Sequence, residues 1–280
     1  FLLLSSGLNI LLDLLFIARM GMGVQGAAVA TVISQGVSVL LCIAYVFAKV
    51  KLLLPEKKHF RVGRHLYWEL FSQSICMGLM SSIVSAGSVV LQYGINGLGT
   101  LVIAGHTAAR KMFMFTDMPL LSMASAGSTF VSQNCGAGQP GRVRKGMKEI
   151  YLYSVVMTVA AVLLMRVAAP WMVAFVSGSS EPIVLENGAR YLLWNAPFYA
   201  VLGILLSTRY ALQSLGNKVL PLFSSVIELV GKVVFVVLFI PKFGYDAVIL
   251  CEPIIWCVMA AYLVAVYRHD PFVFPKQEKR

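Results

Sequence analysis

The stretch Gly7-Leu-Asn9-Ile-Leu-Leu-Asp13-Leu-Leu-Phe-Ile17 decides how this chain is read. It is apolar enough to lie in hydrocarbon, yet it holds a carboxylate at Asp13 and an amide one helical turn earlier at Asn9. A carboxylate at the centre of a membrane helix costs roughly 2.5–3.5 kcal/mol on insertion scales. Such a residue faces a cavity, pairs with another group or handles an ion. The i, i+4 spacing places both side chains on one helix face. That points to a cation or proton site in a polytopic transporter. The plainer alternative is a structural hydrogen bond between Asn9 and Asp13 that fixes helix packing.

Composition agrees with a membrane setting. Of the 280 residues, 59% are hydrophobic and 12% charged, against about 25% charged in soluble domains. The chain opens at Phe1 in the middle of an apolar run and reads as a piece of a longer protein. The formal charge of +11 does not indicate nucleic acid, because the basic residues fall in short segments between apolar runs. Cys42, Cys76, Cys135, Cys251 and Cys257 are scattered, with no CxxC pair, so neither a disulfide framework nor a zinc site is indicated.

Eight apolar runs approach the roughly 20 residues that a spanning helix needs: 1–18, 24–48, 69–93, 100–133, 150–177, 188–213, 218–240 and 246–267. The fourth is too long for a simple span. It contains Arg110, Lys111, Asp117 and Pro119, which predicts a kink and a polar, protein-facing side. Basic residues cluster after every second run: Lys49, Lys51, Lys57, Lys58, Arg61 and Arg64, then Arg142, Arg144, Lys145 and Lys148, then Lys218, then Arg268, Lys276, Lys279 and Arg280. By the positive-inside rule those loops and the C-terminus are cytoplasmic. The basic linker 49–68, with Leu52–Leu54 and Phe60 between its charges, either lies on the membrane surface or is an ordinary connection.

An internal repeat is visible. Leu15-Phe-Ile-Ala-Arg-Met-Gly21 closes the first run and Leu238-Phe-Ile-Pro-Lys-Phe-Gly244 closes the seventh. Equivalent helices six spans apart imply two six-helix lobes, as recur among secondary transporters. The fold expected is an all-α polytopic membrane bundle of two such lobes, the first truncated. Residues 1–48 would be the last two helices of the N-lobe, 49–68 a linker, 69–267 the C-lobe and 268–280 a cytoplasmic tail.

These residues also carry a family resemblance. Asn9-x-x-x-Asp13 with Leu15-Phe-Ile, then Gly23-Val-Gln-Gly-Ala-Ala-Val-Ala-Thr-Val-Ile-Ser-Gln35, resembles the fifth and sixth helices of the MATE (multidrug and toxic compound extrusion) family. Gln133-Asn-Cys-Gly-Ala-Gly138 followed by Arg142–Lys145 is similar to the stretch closing its eighth helix. Leu212-Gln-Ser-Leu-Gly-Asn217 and Val226-Ile-Glu-Leu-Val230 are similar to its tenth-to-eleventh helix region. The DinF-like prokaryotic branch is the nearest in pattern. The resemblance implies export of small amphiphilic or cationic drug-like compounds in exchange for H⁺ or Na⁺ by rocking of two lobes. It also implies a cation or proton site, with Na⁺ as one occupant, at Asn9, Asp13 and Thr31. No other cofactor is implied. The partners are substrate and membrane lipid, with no nucleic acid, and the protein is a monomer in the cell membrane. A further aspartate on the family's first helix would lie upstream of Phe1.

The grouping also has support from geometry. Asp13 and Thr31 lie equally far from a turn centred near Met22, so an antiparallel pair puts them at similar depth, on the order of 10 Å below the outer surface. A carboxylate, an amide oxygen and a hydroxyl suit a hard cation. Protonation of Asp13 is the other way to neutralise it.

Four further charged residues are candidates for lining a cavity: Arg110, Lys111, Glu228 and Glu252. Glu228 also stands one turn from Lys232, as a structural ion pair would. Glu252 precedes Pro253, which frees a backbone carbonyl. Arg209 is placed to snorkel to the cytoplasmic surface, and His106 reads as a packing residue. The spans 69–93 and 188–213 carry an acid only at Glu69, which argues against the C-lobe sodium site of some relatives, and Cys76 stands where related sequences often have a proline. The competing functions are a flippase for lipid-linked or polysaccharide precursors and a non-transporting receptor or scaffold. An enzyme is not indicated, because no metal cluster, Ser/His/Asp grouping or phosphate loop is evident.

Overall fold

A computed structural model describes residues 1–51, 54, 56 and 63–275. Most of the linker's apolar and basic positions (Leu52, Leu53, Lys57, Lys58, Phe60, Arg61) and the tail's Lys276, Lys279 and Arg280 lie outside the described residues. All regular structure among the described residues is helical. The elements are α1 (Leu2–Asp13) running into a π-helical turn (Leu14–Arg19), α2 (Gly23–Lys49), α3 (Arg64–Asn96), α4 (Thr100–Gly136), α5 (Pro140–Ser177), α6 (Pro182–Asn195), a 3₁₀ turn (Ala196–Phe198), α7 (Tyr199–Ser214), α8 (Val219–Val234), a second π turn (Phe235–Phe239), α9 (Ile240–Phe243) and α10 (Tyr245–Arg268).

Seven of the helical stretches are long and apolar enough to cross a membrane. The eighth, α4, has the length, at 37 residues, but charges interrupt it. The side chains are arranged inside out relative to a soluble protein. Leu3, Val24 and Phe175 are 92%, 88% and 88% exposed, whereas Arg209, Glu228, Lys232 and Glu252 are buried. Water would penalise those outer apolar faces at about 25 cal/mol per Å²; lipid does not.

The chain divides into two compact units, Phe1–Trp68 and Glu69–Arg280. In the first, α1 and α2 pack as a hairpin. Gly26, Ala30 and Ser34, spaced four apart, are the buried stripe of α2. Gly26 is needed there, since a Cβ would meet Phe16 Cβ at 3.0 Å.

In the second unit α4 packs against α5, α6 and α7, and α10 closes on α6, α7 and α8. Small residues allow the close approaches that substitute for a hydrophobic driving force in lipid. A Cβ on Gly105 would lie 2.5 Å from the Val184 carbonyl oxygen, and one on Gly188 would lie 2.9 Å from that of Gly105. The motifs around Gly138 and Gly216 prove to be helix C-caps. The Gln139 N–H donates to Asn134 O at 2.9 Å and the Asn217 N–H to Leu212 O at 3.0 Å, with both glycines left-handed. This is the six-to-one bond of a Schellman cap. Beyond α10 the chain folds back under the unit: Asp270 accepts from Asn217 Nδ2 at 2.9 Å and from the N–H groups of Phe272 and Val273 at 3.0 and 3.2 Å.

Candidate functional site

In the N-terminal unit, Asn9 and Asp13 occupy successive turns of one face of α1, and both are half-buried. Asn9 Nδ2 and Asp13 Oδ1 are shut off from solvent and have no hydrogen-bond partner. The structural alternative, an amide-to-carboxylate bond through those two atoms, is therefore not formed. The π turn begins at Leu14, directly after Asp13; such turns interrupt the regular ladder and occur at functional sites. Thr31 stands on α2 beside the buried stripe, exposed, with its hydroxyl donating to Ala27 O at 2.9 Å. The structure thus brings Asn9 and Asp13 together and leaves Thr31 bonded within its own helix.

The C-terminal unit holds a denser polar cluster. His106, Arg110, Phe113 and Asp117 recur on one stripe of α4. One Arg110 guanidinium nitrogen donates to both oxygens of Glu252, at 2.9 and 2.7 Å, and to Tyr191 Oη at 3.2 Å. Tyr191 donates to Glu252 at 2.5 Å. The guanidinium carbon lies 5.0 Å from the centre of the Phe113 ring, a cation–π contact. Phe113 in turn stacks on Trp256 at 5.8 Å. His106 packs edge-on to Tyr191 at 4.9 Å, and its Nδ1 lies 3.2 Å from Tyr245 Oη.

The carbonyl freed by Pro253 is that of Ile249, four residues back, and Asn195 Nδ2 donates to it at 3.3 Å while also bonding Tyr191 O at 2.9 Å. Deeper along α8, Lys232 Nζ meets Glu228 Oε1 at 2.8 Å, so the expected i, i+4 pair exists, with both partners buried.

Of the four charged residues read as cavity candidates, Glu228 and Glu252 are buried in ion pairs, Arg110 is partly open with its side chain 32% exposed, and Lys111 is exposed. Arg209 does not snorkel. It is 8% exposed, and its Nε and Nη2 are buried without partners, because α7 is flanked on several sides by α4, α5 and α10. His106 is a packing residue, and one that has a polar partner. Sequence reasoning missed Tyr191, Tyr245 and Asn195. Only Asn195 carried a signal: an amide in an apolar span two residues before Pro197.

Lipid-facing apolar surfaces, helices that span, and charges withdrawn into the lobe interior define an all-α polytopic membrane protein with polar sites between its helices. The MatE family model matches residues 77–238, more than half the chain, and the chain belongs to that family. It is 27% identical over 201 residues to the probable multidrug resistance protein YpnP of Bacillus subtilis, covering 70% of this chain and 43% of that protein. It is 23% identical over 287 residues to the multidrug export protein MepA of Staphylococcus saprophyticus, covering 99% of this chain and 61% of that one. The chain thus spans between 43% and 61% of the length of these curated relatives. A crystal structure of MATE in complex with MaL6 shares the fold, with a TM-score of 0.83 and 23% identity over 95% of this chain and 61% of that one. An outward-facing multidrug resistance MATE family transporter does so with a TM-score of 0.75 and 24% identity, over 95% and 60%.

Proposed function

We propose that the chain belongs to a secondary transporter that exports amphiphilic or cationic drug-like compounds across the cell membrane in exchange for H⁺ or Na⁺ by alternating access. The observation that carries this is the buried, unpartnered pair of atoms Asn9 Nδ2 and Asp13 Oδ1. A carboxylate oxygen without a donor in a helix facing lipid is unfavourable until something neutralises it. A proton does so at Asp13 alone. A sodium ion would use oxygens, and the donor set suits it: the Asp13 carboxylate, the Asn9 amide turned to present oxygen, and Thr31 Oγ1, whose lone pairs remain free while it donates to Ala27. Coupling follows if the charged and neutralised forms of this face favour different lobe arrangements, since a ligand shifts an equilibrium only by its differential affinity.

The names of YpnP and MepA support drugs as the cargo. The alternation of basic loops supports a cytoplasmic C-terminus, and nothing in the reading requires more than one copy. The protein works by binding and exchange, without covalent catalysis.

The test is ethidium efflux from drug-sensitive cells by the full-length protein and its Asp13→Asn variant at equal expression. Efflux by the parent and not the variant is expected, and imposed pH or Na⁺ gradients then identify the ion. Equal efflux by both removes Asp13 from the coupling. Efflux by neither makes lipid-linked precursors the cargo to assay.

A further inference from the structure

The two repeats correspond residue by residue up to their turns. Aligning Leu15-Phe-Ile with Leu238-Phe-Ile puts Lys232 at the place of Asn9 and Val236 at that of Asp13. Past the turn the register shifts by two residues, the N-terminal turn being that much longer, and Gly23 and Gly244 both take φ +56° where the next helix starts. The buried stripe Gly26, Ala30, Ser34 of α2 then matches buried Ala247, Cys251 and Ile255 of α10. On that shifted register Thr31 corresponds to Glu252, while the Leu-Phe-Ile register alone would set it against Ile254. The N-terminal unit has an amide, a carboxylate and a hydroxyl; the C-terminal unit has an ammonium, an isopropyl group and a carboxylate.

The ammonium is held as a ligand would be. Lys232 is 3% exposed, and its Nζ lies 2.8 Å from Glu228 Oε1. Helix α3 covers its stem with a glycine: a Cβ on Gly87 would stand 3.2 Å from Lys232 Cδ. Along the interior of α4, α7, α8 and α10, Arg110, Arg209 and Lys232 are balanced by Asp117, Glu228 and Glu252. Removing Lys232 leaves one negative charge in excess in a place where an uncompensated charge is costly.

We propose that Lys232 is a tethered cation: its ammonium permanently fills, in the C-terminal unit, the place that corresponds to the Asn9–Asp13 face, so this unit exchanges no coupling ion. The role of the N-terminal face as the exchanging one rests on the function proposed above. The occupancy of the Lys232 place is tested without it.

The experiment is thermal unfolding of the purified full-length protein, its Lys232→Ala variant and its Lys232→Arg variant, in methylammonium, sodium or choline chloride at equal ionic strength. Lys232→Ala opens a cation-sized gap beside Glu228. Its midpoint is expected to rise in methylammonium or sodium, relative to choline, by about 3 °C more than wild type when the cation stands at roughly ten times its dissociation constant. Lys232→Arg is expected to respond as wild type does. Recovery of folded Lys232→Ala only from methylammonium or sodium also supports the proposal. No response beyond wild type overturns it, as does failure to fold in all three salts, or a Lys232→Arg variant that responds like Lys232→Ala. Asp13→Asn efflux is read separately: an active Asp13→Asn protein removes the coupling site and leaves the melting result standing, and the converse holds.

Discussion

One guanidinium nitrogen of Arg110 bonds both carboxylate oxygens of Glu252 across 142 residues of chain, and Tyr191 donates to the same carboxylate. The contact ties α4, α6 and α10 at one point. Its worth lies mainly in what is lost when it is broken from one side.

Glu252→Leu leaves Arg110 without its counter-charge and Tyr191 without an acceptor. Breaking a fully buried pair from one side costs about 3–5 kcal/mol, and less here because the Arg110 side chain is partly open to solvent, while replacing both partners with apolar groups of similar volume is close to neutral. The thermal midpoint of the full-length protein is expected to fall sharply for Glu252→Leu and to return most of the way in Arg110→Met/Glu252→Leu. A double variant as unstable as the single one would show that the pair sets the helix packing itself.

Asn195 and Pro253 are expected to be coupled. Asn195→Ala leaves the Ile249 carbonyl buried and unpaired, at a cost of about 1–3 kcal/mol. Adding Pro253→Ala restores the N–H that bonds that carbonyl within α10, and the loss from Asn195→Ala should shrink by half or more. Additive unfolding shifts in the double-mutant cycle would rule out this link.

Gly105→Ala is expected to push α4 away from α6, since the added methyl meets backbone at 2.5 Å and not the end of a flexible side chain. Overpacking of this kind costs about 1–3 kcal/mol. Gly136→Ala, in the same helix with nothing within 4 Å, is the control, expected to unfold within about a degree or two of wild type. Equal melting of the two variants would refute the close contact.

Asp270→Ala removes the acceptor for Asn217 and for two backbone N–H groups, so the segment after α10 should detach more readily. Trypsin cleavage after Arg268, which is exposed, should accelerate about tenfold for an opening made easier by roughly 1.4 kcal/mol. An unchanged cleavage rate would mean that Val273, fully buried, holds the segment without the aspartate.

Much of this architecture could be read from the chain because lipid imposes a coarse rule that composition reveals. Runs of apolar residues marked the helices, and Arg110, Glu228, Lys232 and Glu252 within them marked the interior, whereas Lys111 in the same kind of run is exposed. Glu228 with Lys232 was visible because both lie on one helix at a fixed spacing. Arg110 with Glu252 was foreseeable only as an offset between unlike charges, since α4 and α10 are far apart in sequence. Arg209 was misread because its distance from the helix end suggested the surface, whereas the neighbours of α7 in space bury it. The π turns gave no signal: Leu14–Arg19 and Phe235–Phe239 have the composition of ordinary apolar helix. Asn9 and Asp13 stood out from the first because an amide and a carboxylate one turn apart in hydrocarbon are costly without a use.

Helices α4 and α5, of 37 and 38 residues, run about 55 Å each, nearly twice the roughly 30 Å of hydrocarbon. They are joined by Ala137–Gln139 and packed near that turn, where Ile150 fills the space beside Gly127. Beyond what tilt takes up, this hairpin would project from the bilayer as a mast, with Arg142, Arg144, Lys145 and Lys148 along it. The mast is continuous with the helix that holds Arg110 and Asp117. A water-soluble binder clamped to it would grip the lobe's interior scaffold by a handle outside the membrane.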